Sequence, residues 1–83
     1  MSRRAPERRA RNEARPVKHS FTIRGHRTSI SLETPFWDLL KAVAERDGQS
    51  LSALVTAIDA ERGSANLSSA IRVWLLRDLQ RRL

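Results

Sequence analysis

The chain has no cysteine in its 83 residues. That excludes disulfides and any thiolate metal site. Its histidines are His19 and His26, with no acidic cluster at ligand spacing around them, so no metal and no cofactor is expected. Glycine is scarce too: Gly25, Gly48 and Gly63 stand apart, and none builds a phosphate-cradling loop. No apolar run is long enough to span a bilayer, and no apolar segment follows the first arginines as a secretory signal requires. A mitochondrial transit peptide would be rich in serine and poor in acid, whereas the first 18 residues hold Glu7, Glu13 and one serine. The later serines sit in no nucleophile elbow, and the carboxylates fall mostly on helix exteriors or ends, so no enzyme is expected. A chain this short makes one domain at most, with a core that is marginal alone. Without disulfide or metal, a second subunit is the expected source of extra burial.

Acid is in deficit: 16 Lys and Arg stand against 9 Asp and Glu, a net charge of +7. Most of the excess lies in residues 1–18, where Arg3, Arg4, Arg8, Arg9, Arg11, Arg15 and Lys18 face only Glu7 and Glu13. This stretch is polar, carries Pro6 and Pro16 and has no apolar face, so it reads as a disordered basic arm. Arginines at that density suit phosphate contact, and a solubilising tail is the plainer alternative. Residues 19–83 read as a single domain.

Two segments alternate. In 19–24 the apolar positions are Phe21 and Ile23, both odd; in 27–32 they are Thr28, Ile30 and Leu32, all even. One straight strand would split them between two faces. A hairpin turning at Gly25-His26 reconciles them, since glycine first suits a type II′ turn. It pairs Arg24 with Arg27, Ile23 with Thr28, Thr22 with Ser29 and Phe21 with Ile30. A bulge at Gly25 is the alternative.

Three helical patterns follow. The first runs over 35–47, with Thr34 as N-cap, Pro35 in the first turn and Gly48 as left-handed stop. Its stripe is Phe36, Leu39, Leu40 and Val43, widened by Trp37 and Ala44. The second spans 51–61, capped by Ser50, with Leu51, Leu54, Val55 and Ile58 on one face. The third covers 67–82, with Leu67, Ile71, Trp74 and Leu75 inward and Ala70, Val73 and Leu76 beside them. The fold class is therefore mainly α with a short N-terminal β element.

The alternation Arg27-Thr28-Ser29-Ile30-Ser31-Leu32, the helix that follows and the turn Gly48-Gln49-Ser50-Leu51-Ser52 resemble the ribbon-helix-helix family, which includes the Arc and MetJ repressors. The run from Gly25 to Glu33 with Phe36-Trp37, and the later Ala65-Asn66-Leu67-Ser68-Ser69-Ala70, is similar to a largely uncharacterised bacterial subgroup. The third helix is an addition to the family's minimal unit. The resemblance implies an intertwined homodimer with antiparallel β pairing between copies. Its shared core would hold Thr28, Ile30, Leu32, Leu40, Val43, Val55 and Ile58.

The resemblance also implies base contacts in the DNA major groove from Arg27, Ser29 and Ser31, and phosphate contacts at Ser50, Leu51 and Ser52. Arg24 and the arm's basic residues join the phosphate set. The expected function is a dimeric, sequence-specific transcriptional regulator on double-stranded DNA, in the bacterial cytoplasm and on the nucleoid when bound, with no membrane partner. The alternative is a protein-interaction module, an adaptor or antitoxin-like partner, built on the same core. An ordered strand at 20–24 would favour that alternative, because two hairpins side by side make a sheet too broad for the groove.

Overall fold

Alternating residues on either side of a glycine pair into a hairpin in the computed structural model, which describes residues 13–83. Strand β1 is Pro16–Ile23 and β2 is His26–Glu33. Helices α1 (Thr34–Arg46), α2 (Leu51–Glu61) and α3 (Leu67–Gln80) follow. The expected mainly α chain with a β element at its N-terminal side is what forms.

The hairpin turns one residue earlier than the sequence suggests. Its central pair is Arg24-Gly25, with φ of 53° and 81°. Positive φ at both positions is the type I′ geometry, whose twist matches that of the strands, with glycine favoured second. The register then runs Ile23 to His26, Thr22 to Arg27, Phe21 to Thr28, Ser20 to Ser29, His19 to Ile30, Lys18 to Ser31, Val17 to Leu32 and Pro16 to Glu33. Phe21 therefore faces Thr28 rather than Ile30. A slip of two preserves which face each residue occupies; a slip of one would reverse it. All the apolar strand residues still share the inner side.

The strands are also longer than expected. Pro16, Val17 and Lys18, read from sequence as the end of the arm, lie in β1. Trp37 holds them there. Its indole Nε1–H donates to the Val17 carbonyl at 2.9 Å. The ring meets His19 edge-on at 4.6 Å and stacks near Phe21 at 5.9 Å. Arg3, Arg4, Arg8, Arg9 and Arg11 lie outside the described residues.

Glu33, not Thr34, occupies the N-cap of α1, and its carboxylate does not cap. It instead accepts from Arg72 Nε at 3.0 Å and Nη2 at 3.2 Å, tying the end of β2 to the middle of α3. At the other end, Gly48 N–H donates to Glu45 O and Gln49 N–H to Ala44 O. With Gly48 at φ 67° this is a Schellman motif, which turns the chain sharply into α2. Ser50 Oγ accepts from Ala53 N–H at 3.0 Å and Asn66 Oδ1 from Ser69 N–H at 3.2 Å, capping α2 and α3.

Inside lie Ile23, Ile30, Leu32, Trp37, Leu40, Val43, Ala44, Leu54, Val55, Ile58, Ile71 and Leu75. Trp37 is central to the α1 stripe, while Phe36 and Leu39 are only half-buried at its edge. On α3, Val73 and Leu76, expected to broaden the inner face, are 49% and 54% exposed. One charged residue joins the core: Asp78 is 5% exposed. It accepts from Arg46 at 3.1 and 3.3 Å and from Arg82 at 3.3 Å, with Arg81 at 3.5 Å. This cluster pins the C-terminal ends of α1 and α3 together.

Candidate nucleic-acid interface

Period-two geometry sends every second strand residue away from the helices. On β2 these are Arg27, Ser29 and Ser31, the residues expected from sequence to touch bases. On β1 they are Lys18, Ser20 and Thr22. The register sets them in cross-strand couples: Lys18 with Ser31, Ser20 with Ser29, Thr22 with Arg27. All are exposed except Ser31, which is half-buried. None of the six makes a side-chain hydrogen bond or ion pair among the described residues, so two cations and four hydroxyls face outward uncommitted. Sequence reasoning pairs Thr22 with Ser29 but names neither Ser20 nor Thr22 among the contact residues, and it assigns Lys18 to the arm. The alternation of Lys18, Ser20 and Thr22 is the available signal, but β1 begins three residues before the point where the sequence pattern becomes plain.

The expected phosphate contacts fall at separate places. Ser50 caps α2 with its hydroxyl. The amides of Leu51 and Ser52, at the first two helical positions, have no intrahelical acceptor by geometry. They sit at the positive end of the helix dipole, a setting that favours an anion. Arg24 projects from the hairpin tip, with its Nε 4.0 Å from Asp59 Oδ2 near the opposite end of α2. Nine residues at 1.5 Å separate Asp59 from Ser50, so these two places lie about 13 Å apart along the helix. Arg24 is also less available than the sequence implies, because its partner is a carboxylate. Asp59 in turn accepts from Arg62 Nε at 2.6 Å. Arg15 is exposed just before β1.

The residues expected in a shared dimer core are buried by this chain's own elements. Ile30, Leu32, Leu40, Val43, Val55 and Ile58 are each 3% exposed or less, and Thr28 is half-buried. The sheet contains β1 and β2 alone, so the second edge of β2 carries no strand from among the described residues.

Ionised carboxylates elsewhere are structural. Arg72, hydrogen-bonded to Glu33, holds that carboxyl below the usual range. Arg46 does the same for Asp78 and Asp47, with Arg82 adding to the effect on Asp78. Among the described residues no group of three or more His, Cys, Asp or Glu could hold a metal ion. Nor is any described helix long and apolar enough to cross a membrane.

An antiparallel ribbon followed by two capped helices about a glycine turn defines a class of fold, and the comparisons agree with it. The ribbon-helix-helix domain description matches residues 16–79. The chain belongs to the ribbon-helix-helix family, whose members are typically DNA-binding transcription regulators. It is similar to the solved structure of an uncharacterized protein from Bordetella pertussis Tohama I, with 34% sequence identity and a TM-score of 0.73. The match covers 83% of this chain and 59% of that one, so this chain spans little more than half the length of its structural relative. No curated protein matches the sequence.

Proposed function

We propose that the chain is a sequence-specific double-stranded-DNA-binding protein acting as a homodimeric transcriptional regulator, without catalysis, in the bacterial cytoplasm and on the nucleoid when bound. One observation carries the reading: the outward ribbon face presents Arg27, Ser29 and Ser31 uncommitted, on a chain with net charge +7. A guanidinium can bind guanine N7 and O6 bidentately, and a hydroxyl can donate or accept at several base edges. The start of α2 at Ser50, Leu51 and Ser52 is assigned to phosphate, together with Arg24, Arg15 and the arginines of the arm. These contacts position the ribbon and carry no sequence information.

The test is binding of the full chain to a mixed pool of duplexes at low and moderate salt, followed by sedimentation of protein and complex. Expected are selection of a subset of duplexes, two chains per bound site and affinity that drops steeply with salt. Equal retention of all duplexes, or none, rejects sequence-specific readout.

A second reading, the interaction module, has two observations in its favour. Strand β1 is ordered across 20–23, and α3 exposes Val73, Leu76 and Leu79 beside half-buried Phe36 and Leu39. The DNA reading is preferred because the ribbon face itself is cationic and hydroxyl-rich with no apolar side chain among its six central residues. A protein-docking sheet would be expected to offer apolar anchors there.

A further inference from the structure

We infer that the groove between α1 and α3 docks an amphipathic helix of a partner protein, one whose apolar stripe is flanked by Asp and Glu. The inference adds a surface to the DNA-binding function proposed above and does not depend on it. No residue of β1 or β2 lines this groove, so the ribbon face and the groove can be occupied together.

The groove follows from how α3 is mounted. Arg72 hydrogen-bonds Glu33 and lies 5.7 Å from the centre of the Phe36 ring, which fixes the start of α1 beside the middle of α3. Ten residues further along each helix, Arg46 and Arg82 meet at Asp78. Equal intervals mean that the two helices run side by side in the same direction for about 15 Å. Between them lie two open depressions, of about 240 and 230 Å³, which share Leu39 and Leu79 as walls. They make one trough.

Its walls are apolar where water reaches them. Leu76 and Leu79 of α3 are 54% and 42% exposed, with Val73 beyond them at the rim. Phe36, Leu39 and Ala42 of α1 form the other side. Each set steps by three residues, the i±3 ridge of a helix surface. A third helix can seat its own ridge between two such rows, the helix-in-groove mode of recognition. A trough of about 15 Å takes about three helical turns.

Charge selects the occupant. Arg72 lines the trough at one end, Arg46 and Arg82 at the other. Its one lining carboxylate, Asp78, is 5% exposed and already accepts from arginines. From Leu67 to Leu83 the chain carries Arg72, Arg77, Arg81 and Arg82 against that single acid. A helix with carboxylates about ten residues apart, and apolar side chains between them, meets guanidinium at both ends. Two other occupants fit worse. A second copy placed symmetrically on α3 would set these arginines against their own counterparts. The chain's basic arm holds five arginines and one acid in residues 1–12, which is the wrong sign, and it has no apolar stripe.

The experiment titrates the full chain with two fluorescent synthetic peptides of about three helical turns. Both carry the same leucine stripe; one has Glu and the other Lys at the flanking positions. Anisotropy is read at moderate salt. The basic arm attracts any acidic peptide, so the charge-neutral variants Leu76→Gln and Leu79→Gln decide. Both positions are exposed, and thermal unfolding confirms that each variant folds. Expected is that the Glu peptide binds the parent at least about tenfold more tightly than the Lys peptide, and that each variant loses about tenfold in affinity for it. No binding, equal binding of the two peptides, or parent-like affinity in both variants overturns the inference. So does a sedimenting mass that falls on Leu76→Gln in the absence of peptide, because a second copy then covers the groove. None of these readouts involves duplex DNA, so failure here and failure of the DNA-binding function are told apart.

Discussion

Replacing Trp37 with phenylalanine tests what keeps β1 in place. Trp37 is 2% exposed, and its Nε1–H bond to the Val17 carbonyl joins α1 to a strand 20 residues earlier. Phenylalanine keeps an aromatic ring in the site but loses that bond, worth about 1 kcal/mol net. It also removes part of a buried ring system, at about 0.8 kcal/mol per methylene-sized group. The edge contact with His19 and the stacking with Phe21 weaken further. Together the loss is about 2–3 kcal/mol. A domain of this size is stable by about 4–10 kcal/mol, so the variant still folds at room temperature. At roughly 4–8 °C per kcal/mol its midpoint should fall by about 8–24 °C in a circular-dichroism melt. Hydrogen exchange should quicken most at the β1 amides from Val17 to Phe21, with α2 and α3 little changed in relative protection. A fall of less than about 3 °C with β1 equally protected would refute the role given to Trp37 in holding β1.

Arg27→Ala should weaken binding to the preferred duplex by about 1–3 kcal/mol and leave binding to unrelated duplexes nearly unchanged, as titration against both will measure. Deleting residues 1–12, which hold five arginines, should weaken all duplexes alike and reduce the slope of log affinity against log salt by up to about 4; an unchanged slope removes the arm from the interface. Asp78→Ala should cost about 1–2 kcal/mol in denaturant unfolding. The figure is modest because the partner arginine side chains are 36% to 67% open to water, which screens the charge pairs. Acid should destabilise the fold. Glu33, Asp47 and Asp78 all have carboxyls held below their ordinary range by arginine, so the unfolded chain takes up protons first. Stability from these pairs is complete above about pH 4.5 and is lost as pH falls through the folded values. A stability that stays flat from about pH 6 to about pH 3 would contradict the ion-pair assignments.

Much of the architecture is legible from local chemistry. The alternation about Gly25 places two strands, and their parity puts Phe21, Ile23, Ile30 and Leu32 on one side and Arg27, Ser29 and Ser31 on the other. The Pro35 start, the Gly48 stop and the Ser50 cap locate the helices to within a residue or two. These features are set by neighbours along the chain: steric limits at glycine and proline, a hydroxyl three residues from an amide, and a repeat of two or 3.6. Sequence alone is enough for them.

Only the folded chain decides the rest, because the deciding partners are far apart in sequence. Glu33 abandons the cap for Arg72, 39 residues away. Trp37 reaches back to Val17 and converts the end of a basic arm into strand, which brings Lys18 onto the ribbon face. The turn settles at Arg24-Gly25 rather than Gly25-His26, with both residues at positive φ, the type I′ geometry whose twist matches that of the paired strands. Asp78 looks like any exposed helical carboxylate until Arg46 is folded against it. Periodicity fixes which side a residue faces; packing across the core fixes how far each strand extends and which charges are left to meet a partner.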